Sequence, residues 1–282
     1  MQTYHECIPC FLKQALNAAR LATADIHVHE HVLRRVLSDV AGMSLNQPPP
    51  LMGQRIHQII REAAGSSDPY AAVKKQYNEF GLRLYPQLKQ TIGRSKNPLE
   101  AAIRLSIAGN IIDFGLAESV NQTEVASVIE QSLTQPLEGD VSAFQAAMES
   151  ARNILFLGDN TGEIVFDRLL IETLERDHIT YVVRGGPVIN DATRADAEFT
   201  GIMELVDVMD NGSDAPGTIL EQCSKSFQQA FKNADLVVAK GQGNFESLSD
   251  ANQHIFFIFK VKCPVVAAHT DCPAGSMVIH EK

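Results

Sequence analysis

Beyond Ser150 the chain alternates short apolar runs with helical segments, and that alternation leaves few folds open to it. Ile154-Leu155-Phe156-Leu157 is apolar throughout, too short for a helix and stopped by Gly158. Glu163–Leu174 follows with helical periodicity, and Ile179–Val183 is β-branched and aromatic. Residues 205–208 read as a third strand, 236–239 as a fourth and 264–268 as a fifth, while 255–259 fits either type. Residues 217–231 read as helix. Strands alternating with helices imply a mainly parallel sheet covered on both faces, a three-layer α/β/α arrangement.

Before Ser150 the pattern is helical. Phe11, Leu12, Ala15, Leu16 and Ala19 recur at helical spacing, as do Val28, Val32, Val36 and Val40 before Gly42. Pro48-Pro49-Pro50 is a breaker or short linker. Asp68-Pro69 and Asn97-Pro98 each have the form of an N-cap followed by an N1 proline, and Thr123 and Asp140 read as further caps. The expected division is a helical domain over 1–150 and an α/β domain over 151–282.

A charge of −10 and the lack of a basic stretch argue against a nucleic-acid or membrane-surface partner. No apolar run reaches the roughly 20 residues of a spanning helix, and the first residues lack a secretory pattern. Five cysteines make a disulfide framework improbable and favour a reducing cytoplasm.

Ligands of open parallel sheets bind outside the carboxyl ends of the strands. Gly158-Asp159-Asn160-Thr161-Gly162-Glu163 follows the first strand, Arg184-Gly185-Gly186-Pro187 with Asn190-Asp191 the second, and Lys240-Gly241-Gln242-Gly243-Asn244 the fourth. Asp159, Asn160 and Asp191 offer hard oxygen donors suited to Mg²⁺ or Mn²⁺. Asp159 and Asn160 also fit plain capping of the next helix, and the two roles are compatible. Gly158 and Gly162 permit close backbone approach, and the helix behind them favours anions. Lys240 beside Gly241 reads either as a phosphate clamp or as a surface lysine. No Gly-x-Ser-x-Gly elbow is present, which disfavours a serine hydrolase.

Cys7-Ile8-Pro9-Cys10 is half of a zinc site or a redox pair, or two half-buried thiols at a helix start. His27, His29 and His31 read as solvated.

Taken in order, Cys7-Ile8-Pro9-Cys10, the segment 106–115 (Ser106 to Gly115), the segment 158–167, Gly186-Pro187-Val188-Ile189-Asn190-Asp191, Lys240-Gly241-Gln242-Gly243-Asn244 and Lys262-Cys263-Pro264-Val265 resemble the metal-dependent damage-control phosphatase family with its ARMT1-like metal-binding domain, in the short microbial branch with an N-terminal Cys-x-x-Cys. Thr161 stands where that pattern has a smaller residue. The resemblance implies a helical N-terminal part packed on an α/β/α domain. It implies a divalent metal (Mg, Mn, Co or Ni) on Asp159, Asn160 and Asp191, and hydrolysis of small phosphorylated metabolites. Asp159, Asp191, Lys240 and Glu163 would be catalytic, and Asn110, Asp113, Gly162, Lys240, Gly241 and Asn244 would bind substrate. The competing reading is a module that binds a phosphometabolite without turnover.

Overall fold

The computed structural model describes residues 1–109 and 122–282; the expected substrate residues Asn110 and Asp113 lie outside the described residues. Five helices come first: α1 (Cys7–Ala22), α2 (Ile26–Gly42), α3 (Pro49–Ala64), α4 (Ala71–Arg94) and α5 (Pro98–Gly109). Next come α6 (Gln122–Thr134), strand β1 (Leu137–Glu138) and α7 (Val141–Ser150). The alternating part follows as β2 (Ile154–Leu157), α8 (Glu163–Leu174), β3 (Ile179–Val183), α9 (Arg194–Phe199) and β4 (Asp207–Asp210). It closes with α10 (Lys225–Asn233), β5 (Leu236–Lys240), α11 (Gln242–Leu248), β6 (Ile255–Lys260), α12 (Pro264–Thr270) and β7 (Met277–Glu281).

The caps explain several helix starts. Asp140 accepts the Ser142 and Ala143 N–H groups and opens α7. The Asn97 side chain accepts the Glu100 N–H and opens α5. The triple proline is no linker: Pro48 is the N-cap of α3 and Pro49 its first residue, where a missing N–H costs nothing. Asp68 accepts the Tyr70 N–H instead of opening the helix directly, so α4 begins at Ala71.

The seven strands among the described residues form one sheet in the order β1-β7-β6-β5-β2-β3-β4. Every pairing is parallel except β6 with β7. Alternate residues face opposite layers. Ile154, Phe156, Tyr181, Val183, Val238 and Phe256 enter a core with α4, α5, α7 and α8. Leu155, Leu157, Val182, Val237, Ala239 and Phe257 enter a second core with α10, α11 and α12. A third cluster joins α1, α2 and α3 through Phe11, Ala15, Val32, Val36, Ile56 and Ile60. The first core takes residues from both sides of position 150, and β1 adds Leu137 and Glu138 to the sheet edge.

Two of the expected elements need correction, and one open alternative is resolved. Residues 264–268 are the start of α12, not a strand: Pro264 sits at its first turn behind an extended Cys263 N-cap, and Val265 and Val266 extend the helix. The ambiguous segment is strand β6. Residues 217–231 are not one helix, because the Ser224 side chain caps the Phe227 N–H and starts α10 anew.

Strand order reverses around β2, whose neighbours are β3 and β5. The crevice at such a reversal is where open α/β sheets bind ligands, and the loops after β2, β3 and β5 meet there.

Candidate functional site

Two backbone hydrogen bonds staple the loop after β2 to the loop after β3: Thr161 N to Asn190 O at 2.7 Å and Ala192 N to Asp159 O at 2.8 Å. Between them Asn160 and Asp191 form an isolated antiparallel bridge. The three expected metal ligands, 32 positions apart at the extremes, are therefore brought together by main-chain pairing. The loop after β5 closes the third side. Gly241 has φ +79°, and a Cβ there would lie 1.9 Å from Asp159 Oδ2. Only glycine lets the main chain approach this carboxylate so closely.

The amide of Asn160 has a fixed orientation. Its Nδ2 donates to Asp159 Oδ2 at 3.0 Å and to Glu163 Oε2 at 3.2 Å. Ionised carboxylates only accept, so the nitrogen faces them and the amide oxygen points away. Glu163 Oε2 also takes the Asn160 N–H at 3.3 Å, while Oε1 takes Lys240 Nζ at 2.6 Å.

Lys240 differs from expectation. Its side chain is 0% exposed, and its ammonium donates to Glu163, to Asp167 Oδ1 at 2.5 Å and to Ser106 O at 3.2 Å. An ammonium has three N–H donors, so this arrangement leaves none for a phosphoryl oxygen. Asp167 is held further by the Ser106 hydroxyl at 2.7 Å and the Tyr181 hydroxyl at 2.8 Å. Burial lowers an ammonium's pKa, but Asp167 and Glu163 outweigh it and raise that of Lys240. Glu163 shares its cation with Asp167, and burial pushes its carboxyl up to about 7.

Asp191 is paired with Arg184, whose Nε donates to Oδ2 at 2.6 Å. Burial, only partly offset by Arg184 and reinforced by the charge of Asp159, pushes Asp191 up to about 7. Arg184 Nη1 donates to Thr218 Oγ1 and Asn244 Oδ1, both at 3.3 Å, and Nη2 reaches Asp159 Oδ1 at 3.5 Å.

The glycine loop and Asn244 are also accounted for. The space beside Gly158 is filled by the Tyr181 hydroxyl, 2.3 Å from where a Cβ would stand. The Gly162 N–H, expected to face a ligand, donates to Asn78 Oδ1 at 2.9 Å. Asn78 in turn donates to Asp196, which also pairs with Lys74 at 3.4 Å. Asn244 donates to Lys240 O at 2.7 Å and Gly158 O at 3.3 Å, tying the β2 and β5 ends together. Thr161 is fully buried, and its hydroxyl has no partner among the described residues.

Every buried charged side chain among the described residues belongs to this network. The acids are Glu163, Asp167, Asp191 and Asp196; the bases are Lys74, Arg184 and Lys240. Asp159, 12% exposed, adds a further acid at the rim. Fully ionised, these residues carry a surplus of two negative charges. Two carboxylates and an outward amide oxygen suit a hard divalent cation, and such an ion would offset that surplus, to which Asp68, paired with Lys74 at 3.0 Å, adds one more charge. Among the described residues no group of three or more His, Cys, Asp or Glu could by itself hold a metal ion, so a cation here would need the Asn160 oxygen beside Asp159 and Asp191.

The thiols offer less. Cys7 and Cys10 are free, and burial raises the pKa of both, which disfavours the reactive thiolate. His27 and His31 are exposed, as expected, and half-buried His29 meets Thr23 O at 2.7 Å.

Sequence reasoning missed Arg184, Asp167, Lys74 and Asn78 as members of the site. Asp167 had a readable signal: it stands four residues after Glu163 on a helix otherwise apolar on that face. Lys74 and Asn78 come from α4 and had none.

Fold and constellation define an open α/β protein with an oxygen-rich, acidic site at the reversal point of its sheet. Residues 3–278 match the damage-control phosphatase ARMT1-like domain, and the chain belongs to that family. It is 33% identical over 284 residues to the damage-control phosphatase PH1575 of Pyrococcus horikoshii, covering 99% of this chain and 97% of that protein. It is 32% identical over 278 residues to a damage-control phosphatase of Archaeoglobus fulgidus, covering 96% of each. The crystal structure of a DUF89 family protein from Pyrococcus horikoshii has the same fold, with a TM-score of 0.91 at 31% identity, covering 100% of this chain and 99% of that one. Among the described residues no helix is long and apolar enough to cross a membrane.

Proposed function

We propose that the protein is a divalent-metal-dependent phosphatase acting on small phosphorylated metabolites, with Asp159, Asn160 and Asp191 as the metal ligands. The observation that carries this reading is the main-chain stapling of these three oxygen donors at the sheet's reversal point, inside a network whose acids outnumber its bases. Membership of the damage-control phosphatase family supports it.

A bound Mg²⁺, Mn²⁺, Co²⁺ or Ni²⁺ would polarise a phosphoryl oxygen and lower the pKa of a bound water. The chain's own residues supply the rest. Asp159 and Asp191 hold the ion's charge. Glu163 fixes the Asn160 amide with its oxygen outward. Lys240 holds Glu163 and Asp167 in place and lowers the charge beneath the site. Burial raises the Glu163 carboxyl above its ordinary range, but Lys240 and Asn160 engage both of its oxygens, so its role is to position the amide. Gly241 keeps the β5 loop against Asp159.

Phosphate release from a panel of sugar phosphates and nucleotides tests the reading, with each metal, with EDTA, and with Asp159→Ala. Metal-dependent release that vanishes in Asp159→Ala is expected. Esters that raise the melting temperature with no release under any metal would instead establish a binding module.

A further inference from the structure

Resting on the phosphatase reading, we propose that Arg184 is the residue that binds the phosphoryl group, gripping a non-bridging oxygen through Nη2. A phosphate monoester needs cationic donors beside the metal ligands. Three buried cations serve the network. Lys240 has every N–H committed to Glu163, Asp167 and Ser106 O. Lys74 is held by Asp68 at 3.0 Å and Asp196 at 3.4 Å, neither of them a candidate ligand of the ion. Arg184 alone contacts both candidate carboxylates, Asp191 and Asp159.

Its donor geometry singles out one edge. A guanidinium has five N–H donors in a rigid plane. Nε is taken by Asp191, and the two Nη1 hydrogens face Thr218 Oγ1 and Asn244 Oδ1. Nη2 has only the long 3.5 Å contact to Asp159, so one of its hydrogens has no partner among the described residues. Arg184 is 3% exposed, and a buried N–H without an acceptor is costly. An oxygen of an ester seated on the ion between Asp159 and Asp191 would satisfy that N–H.

The support behind the guanidinium is built in. Thr218 Oγ1 donates to Asn244 Oδ1 at 2.8 Å, and Asn244 is anchored on Gly158 O and Lys240 O. The plane of Arg184 is thus fixed by the same β2 and β5 ends that shape the metal site.

The test uses Arg184→Lys and the near-isosteric Thr218→Val in the full chain. Lysine keeps the positive charge near Asp191 but loses the planar fork. Three readouts are taken: kcat and KM for the best ester of the panel, inhibition by inorganic phosphate, and the melting-temperature rise caused by inorganic phosphate in saturating Mg²⁺. The proposal expects Arg184→Lys to raise KM and weaken phosphate inhibition by about tenfold or more, the loss of one charge-assisted hydrogen bond. The phosphate-induced melting shift should vanish while the Mg²⁺-induced shift persists. Thr218→Val should raise KM by a smaller factor, about threefold, and it carries the test if Arg184→Lys does not fold. Unchanged KM and phosphate inhibition in the folded variants would overturn the proposal and leave Arg184 an internal counter-ion. Failure of the wild type to release phosphate or respond to it would instead sink the phosphatase reading.

Discussion

Replacing Lys240 by methionine keeps the apolar stem, one atom shorter, and removes the cation that two carboxylates share. The three side chains, Lys240, Glu163 and Asp167, are 0, 1 and 0% exposed, so water cannot substitute for the ammonium. Removing one partner of a buried ion pair costs about 3–5 kcal/mol, and the double pairing here places Lys240→Met near the upper end. The cost should depend on pH. Glu163 already titrates near 7 with Lys240 present, and loss of the cation moves it higher. At about pH 8 the variant must bury a charge or take up a proton against the gradient; at about pH 5.5 the carboxyl is neutral and part of the penalty, about 1–2 kcal/mol, disappears. Urea unfolding at both pH values measures this. Asn160 also loses its fixed neighbour, so the melting shift produced by Mg²⁺ should shrink. A variant within about 1 kcal/mol of wild type at the higher pH would refute the reasoning, because this is far below the cost of a broken buried pair. An equal loss at both pH values would show that packing, not charge, was removed.

Other predictions follow from the same network. Glu163 and Asp191 stand near 7 in the folded chain against ordinary values of 4.5 and 3.8, so between those limits the folded state holds more protons than the unfolded one. Their contribution to stability is therefore complete below about pH 4 and is lost as pH rises through about 7. In EDTA the melting temperature should fall across that window, and saturating Mg²⁺ or Mn²⁺ should restore most of it above pH 7; a flat EDTA profile with no metal effect would count against the charge surplus. Gly241→Ala places a methyl 1.9 Å from Asp159 Oδ2 on a backbone with φ +79°. It should cost about 1–3 kcal/mol and sharply weaken metal-dependent turnover while circular dichroism stays near wild type; full turnover would show that the loop has room to spare. Thr161→Val removes a buried hydroxyl that has no partner among the described residues and should be neutral or stabilising by about 1 kcal/mol in thermal unfolding; marked destabilisation would reveal a bonded role for that hydroxyl.

The strands at the centre of the sheet were readable because each is a bounded apolar run: β2 and β3 fall on the expected residues. Residues 264–268 misled because a β-branched run of that length has no period to separate helix from strand, and the helix-opening proline was the better guide. Strand β7 escaped notice because only three of its five residues are apolar, too short a run to stand out, although it pairs antiparallel with β6. The rule for strand ends pointed to Asp159, Asn160 and Asp191, which main-chain pairing does bring together. What it could not give was pairing across the chain. Lys240 beside glycine looks like an open clamp until Glu163 and Asp167, one helical turn apart on α8, are seen to enclose it. Asn78 reaches the Gly162 N–H across 84 positions, and nothing local to either residue signals it.

The proposed function stands on Asp159, Asn160 and Asp191 holding one divalent cation. Equilibrium dialysis of EDTA-stripped protein against Mn²⁺, for the wild type, Asp159→Ala and Asp191→Asn, tests it most directly. About one ion per chain is expected in the wild type, with loss of that ion in both folded variants. Uptake by both variants equal to that of the wild type, or none by the wild type, would contradict it.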